Sequence, residues 1–178
     1  MKGKKAAKLD VWLLLTVLVL VLFGLVMVYN ASVVIAERDF SDKYHYVRDQ
    51  ATWMMLGITL MIVVSFVEYH FWQRIALPFL LGTLFLLLLV FVPGIGIKAL
   101  GASRWVTFGF FILQPAELAK LSLVVYLASW FSAKEKGRFF AFVLLLALII
   151  GLVMLEPDMG TSVVLGASAV LLYFLSGA

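Results

Sequence analysis

The sequence predicts an all-α polytopic membrane protein with six transmembrane helices and a cytoplasmic N-terminus. Three observations carry this expectation. Of 178 residues, 65% are hydrophobic and the mean hydropathy is +1.12, well above soluble-globule usage. The apolar residues gather into six runs, each near the roughly 20 residues a helix needs to cross a hydrocarbon core. The short segments between runs differ in Lys and Arg content, and that bias sets orientation.

The first run, 11–30, follows the charged stretch MKGKKAAKLD. Its core is longer than the roughly 7 to 15 residues of a secretory signal, so a retained crossing is expected rather than cleavage after Ala31 or Ala36. The second and third runs span 51–68 and 75–92. In the fourth, 115–132, Pro115 suits the first helical position and Glu117 the first turn, where a carboxylate meets the positive helix end. The fifth and sixth, 139–155 and 160–176, are joined only by EPDMG and form a tight helical hairpin.

With the N-terminus inside, the inner side holds Lys2, Lys4, Lys5, Lys8, Arg74, Lys134, Lys136 and Arg138; Arg38, Lys43, Arg48, Lys98 and Arg104 lie outside. Trp12, Trp53, Trp72, Trp105 and Trp130 fall near the expected helix ends, as interfacial anchors do. Gly24, Gly57, Gly82, Gly151 and Gly166 are expected to permit close helix packing. The glycines of VPGIGIKALGAS read as a flexible loop, because no strand precedes them and no GK[ST] follows. No fixed-period repeat or linker divides residues 1–178, so a single transmembrane helical domain is expected. The chain stops at LYFLSGA with no basic residue after the sixth run, which points to C-terminal truncation of a longer protein.

Several function classes are excluded. The net charge of +4 is spread over short segments rather than one polar face, which argues against nucleic acid as a partner. With no cysteine, disulfides and thiol nucleophiles are absent. His45 and His70 have no second ligand at metal spacing. Ser32 and Ser103 have no histidine partner suggested by spacing, so a Ser-His nucleophile is unsupported. No cofactor or metal site is specified, although a divalent cation stays open.

Two charged constellations need an explanation. GASRWVTFGFFILQPAELAK, 101–120, places Arg104, Gln114, Pro115, Glu117 and Lys120 around one loop and the start of a helix. At roughly 1.5 Å per residue, Lys120 lies about 8 Å into that helix, at a depth where a cation needs a partner. Glu117, three residues away, shares its face. A purely local pair, with or without Arg104 joined to it, is one reading. The other makes Arg104 and Lys120 ligands of an anionic lipid-linked substrate, since a planar guanidinium and a mobile ammonium suit a pyrophosphate.

The second constellation is EPDMGTS, 156–162. Pro157 stops the fifth helix from continuing, Gly160 permits a close or unusual turn, and Thr161 can return hydrogen bonds to free backbone groups. Glu156 and Asp158 fit a cation site, an acid and base pair, or a buried network with Arg104 and Lys120. Two carboxylates alone are sparse for a metal, so the network is the favoured reading.

GASRWVTFGFFILQPAELAKLS followed one hairpin later by EPDMGTSVVL resembles the signature region of the SEDS family, the shape, elongation, division and sporulation membrane proteins. YNAS and RDQATWMMLG lean toward its division member over its rod-shape member. The resemblance implies the N-terminal portion of a roughly ten-helix bundle in the bacterial inner membrane. It implies peptidoglycan glycosyltransferase activity on lipid II, exercised with a class B penicillin-binding protein and other division proteins. It also implies that the proposed catalytic aspartate lies after a seventh crossing, so no catalytic residue is assignable in this chain and the fragment alone is expected to be inactive. A non-enzymatic transporter of lipid-linked precursors, or an interacting fragment, is the alternative.

Overall fold

The computed structural model describes residues 10–99, 102–109, 111–133 and 137–177. Lys2, Lys4, Lys5, Lys8, Lys134 and Lys136, which carry most of the inner-side bias, lie outside the described residues. Among the described residues six helices form: α1 (Val11–Phe40), α2 (His45–Ser65), α3 (Tyr69–Leu89), α4 (Pro115–Ser132), α5 (Phe139–Leu155) and α6 (Met159–Ser176). An antiparallel sheet of β1 (Gly96–Ala99), β2 (Ala102–Phe108) and β3 (Phe111–Leu113) separates α3 from α4 in the chain. Four helices, α1, α2, α3 and α6, are long and apolar enough to cross a membrane. The chain divides into two compact units, 1–67 and 68–178.

In the first unit α1 runs ten residues past its expected end. Asp10 caps it by accepting from the Leu13 N–H at 3.0 Å. Ser32, which stood at the expected boundary, donates its hydroxyl to the Val28 carbonyl at 2.6 Å and so stays compatible with helix. The helix closes only at Ser41, in the left-handed region at φ 53°, whose N–H reaches the Glu37 carbonyl at 3.0 Å. Thirty residues rise about 45 Å, more than a hydrocarbon core of about 30 Å, so the charged end extends beyond an apolar span. The α2 helix starts at His45, whose ring stacks on Phe40 at 3.9 Å. The expected charged loop therefore shrinks to residues 41–44.

In the second unit α4 packs against both α3 and α6. Ala116, Ala119, Ser122, Leu123 and Leu127 form its buried stripe, and the small residues at its start let neighbouring backbones approach. The same core cluster holds Leu80 and Leu87 of α3, Ile149 and Val153 of α5, and Leu165 and Ala169 of α6. With Glu117 and Lys120 in its sequence, α4 is not among the four helices long and apolar enough to cross a membrane. The α5 helix is apolar throughout but has 17 residues. Aromatic rings close the far end: Trp130 stacks on Phe131, Phe142 stacks on Tyr173, and the Arg138 guanidinium lies 5.5 Å from the Trp130 ring.

The aromatic-rich segment is a sheet rather than a loop. Val106 pairs with Gly96 on one side and Leu113 on the other, and Gly109 makes the β2–β3 turn at φ +73°. Nor does flexibility explain the glycines before it. Gly94 has φ +88°, and a Cβ at Gly96 would stand 1.9 Å from the Val90 carbonyl oxygen. The helical glycines also depart from expectation. Among the described residues a Cβ at Gly24, Gly57, Gly82 or Gly151 meets nothing within 4 Å, and only Gly166 lies against a neighbouring helix, at 3.5 Å from Ile150.

These contacts give opposite expectations for two alanine substitutions. Gly96→Ala forces the sheet away from the end of α3 and should lower stability by about 1 to 3 kcal/mol, whereas Gly82→Ala should be neutral or stabilising by up to about 1 kcal/mol. Thermal unfolding in detergent compares them; equal effects would contradict the close approach at Gly96.

Candidate functional site

Strand alternation places Arg104 and Val106 on one face of β2 and Trp105 and Thr107 on the other. Val106 is fully buried, so the Arg104 face is the one that meets the helices. Arg104 Nε donates to the Glu156 carbonyl at 3.0 Å, and Nη2 donates to the Pro157 carbonyl at 2.5 Å. These acceptors sit just past the end of α5, where a helix leaves carbonyls without partners. A cation there also meets the negative end of the helix dipole. Arg104 thereby ties the sheet to the α5–α6 turn.

Asp158 opens α6. Its carboxylate accepts from the Thr161 N–H at 3.0 Å and from the Thr161 hydroxyl at 2.8 Å, while Ser162 donates its hydroxyl to the Asp158 carbonyl at 2.8 Å. Burial pushes the Asp158 carboxyl upward, but the two Thr161 hydrogen bonds, Arg104 and Lys120 outweigh it and hold the group below its ordinary range. Gly160 falls inside the first turn of α6, and a Cβ there would lie 3.7 Å from Asp158 Oδ1, an ordinary contact. Gly160 thus stands beside the close α5–α6 turn and needs no contact that only glycine allows.

Glu156 is 0% exposed, and among the described residues neither carboxylate oxygen has a hydrogen-bond partner. Burial pushes its carboxyl up to about 7, with Asp158 adding to the rise and Arg104 opposing it. On α4, Gln114 occupies the N-cap position with its carbonyl accepting from the Glu117 N–H at 3.1 Å, and Pro115 is the first helical residue. Lys120 Nζ donates to Glu117 Oε1 at 2.7 Å, with the lysine side chain 31% exposed.

The expected residues therefore converge, but with different bonds. Arg104 is directed to backbone carbonyls instead of the Glu156 and Asp158 carboxylates, because Pro157 frees acceptors within its reach. The Asp158 carboxylate is used by Thr161. Among the described residues no group of three potential metal-ligating side chains occurs. Ser162, buried beside Thr161, escaped the sequence reading, although an acid followed by a Thr-Ser pair is a helix-start signal.

Residues 11–178 match the family model described as cell cycle protein, which covers FtsW, RodA and SpoVE. The chain is similar to a probable peptidoglycan glycosyltransferase FtsW of Geobacter metallireducens, at 41% identity over 98% of this chain and 48% of the relative. It is also similar to the protein so named in Legionella pneumophila, at 34% over 94% and 44%. The structure resembles Thermus thermophilus rod shape determining protein RodA, with TM-score 0.67 and 28% identity over 88% of this chain and 52% of that one. It equally resembles a chain of a peptidoglycan synthase complex that coordinates polymerization and crosslinking, with TM-score 0.67 and 28% identity over 87% and 47%. The chain spans about half the length of the curated relatives it matches.

The cap at Asp158 has a definite pH signature. Its lowered folded value means its stabilisation is present above its unfolded value of 3.8 and is lost as pH falls through the lower folded one. Asp158→Ala should cost about 1 kcal/mol; Asp158→Asn should remove this acid-dependent part. An unchanged acid unfolding profile in Asp158→Asn would show that the carboxylate does not cap α6.

Proposed function

Because the chain belongs to the cell cycle protein family of FtsW, RodA and SpoVE, we propose that it forms part of a peptidoglycan glycosyltransferase, a lipid II polymerase of bacterial cell division. Multi-pass residence in the bacterial inner membrane follows from the family and from four apolar helices of spanning length. The observation that carries the site reading is the convergence of Arg104, the Lys120–Glu117 pair and the α5–α6 turn. Orientation by the Lys and Arg bias puts this end of the helices on the outer side, where an exported lipid-linked disaccharide is met.

In this reading an acceptor sugar hydroxyl attacks the anomeric carbon of the donor, and the bond to the undecaprenyl pyrophosphate breaks. Negative charge gathers on the departing pyrophosphate, and preorganised cations stabilise it. Lys120, partly exposed and aimed by Glu117, supplies one such cation. Arg104 uses two of its five N–H donors on the turn; it supports the site from a fixed strand and offers the rest of its guanidinium to phosphate oxygens. Neither acid of the turn suits the role of base, since Glu156 is enclosed and Asp158 caps α6. Proton removal falls to a region of the longer relatives that this chain does not span. A class B penicillin-binding protein and other division proteins are the proposed partners, in keeping with a structural relative that couples polymerization to crosslinking.

The test is glycan polymerisation from purified lipid II by the full-length protein with its partner. Arg104→Ala and Lys120→Ala should each reduce the rate by about a hundredfold or more. Normal polymerisation by the double variant would overturn the site assignment. Normal polymerisation together with lost lipid II translocation in vesicles would favour the transporter reading.

A further inference from the structure

Glu156 is the described group least explained by that function. It follows the last residue of α5, has no accessible surface, and among the described residues has no hydrogen-bond donor on either oxygen. An ionised carboxylate so placed is costly unless paired. The cation beside it, Arg104, spends its Nε and Nη2 hydrogens on the carbonyls of Glu156 and Pro157 instead. Because the oxygens are already enclosed, no ligand or additional chain reaches them without opening the junction. Taking up a proton removes that cost.

We propose that Glu156 is a positioning residue: held as the neutral acid, it leaves the Arg104 guanidinium on the two carbonyls and so fixes where Arg104 stands in the site. Loss of the proton to water would create a competing acceptor beside Arg104. A full negative charge attracts the guanidinium more strongly than a carbonyl dipole at the same distance, so an ionised Glu156 draws the guanidinium off the turn. The groups that act on Glu156 agree with this balance. Asp158, in the same turn, favours the neutral form, and Arg104 of β2 opposes it. Lys120 of α4, paired with Glu117, acts on Asp158. The α5 and α6 segments add no ionisable side chain apart from Tyr173 at the far end of α6.

The proton itself is tested without reference to activity, by infrared difference spectra of the intact protein in lipid bilayers, wild type against Glu156→Gln. The expected result is a protonated carboxyl band that vanishes in the variant and titrates near 7. No such band at acid pH, or a titration at the ordinary glutamate value of 4.5, overturns the inference. The activity arm rests on the proposed polymerase reading. Wild-type polymerisation should fall above about pH 7 while Glu156→Gln, a neutral isostere, stays active and loses that alkaline fall. Glu156→Gln as inactive as Arg104→Ala at every pH overturns the positioning role. Retained polymerisation in Arg104→Ala defeats the polymerase site reading instead, and the infrared band then decides the fate of the proton.

Discussion

Two hydrogen bonds from Arg104 to the carbonyls of Glu156 and Pro157 hold the second unit's working end together. The constraint behind them is general: the last carbonyls of a helix have no intrahelical partner and need a donor from elsewhere. Pro157 creates that need by ending α5, and Asp158 turns the chain into α6 with a cap on Thr161. One guanidinium answers it, because a planar fork meets two carbonyls at once. Remove Arg104 and the sheet, the turn and the start of α6 lose their common point.

The rest of that unit is arranged so that the junction stays rigid. Small residues at the start of α4 bring α3 and α6 close, and the larger Leu123 and Leu127 fill the space below. Polarity is then concentrated at one end, with Lys120 anchored to Glu117 on the surface of the same helix. The exposed Glu117–Lys120 pair adds little to stability; in the proposed function its contribution is to aim a cation. Glu156 differs, because its enclosure makes its protonation part of how the junction is built.

Helix existence was legible from the apolar runs, and the bounds of α4 and α5 coincide with the expected ones. The ends of α1 and α2 were not, because charged and hydroxyl residues around Ser32 and Asp39 read as a loop while their side chains bond within the helix. The sheet was missed for a related reason. RWVTF and FIL, separated by Gly109 and its neighbour, carry a hairpin pattern, but aromatic residues beside crossings also read as interfacial anchors. The site residues were legible as a set, and their bonds were not. Sequence identifies Arg104 as a cation near two acids; only the strand's facing and the Pro157 break show that its partners are carbonyls.

The central claim is that Arg104 couples the sheet to the α5–α6 turn, and amide hydrogen exchange in wild type and Arg104→Ala tests it most directly. Loss of charge-assisted bonds should speed exchange about tenfold or more in both β2 and the first turn of α6, while the middle of α3 stays unchanged. Unaltered exchange in the first turn of α6, with or without a change in β2, would contradict the coupling.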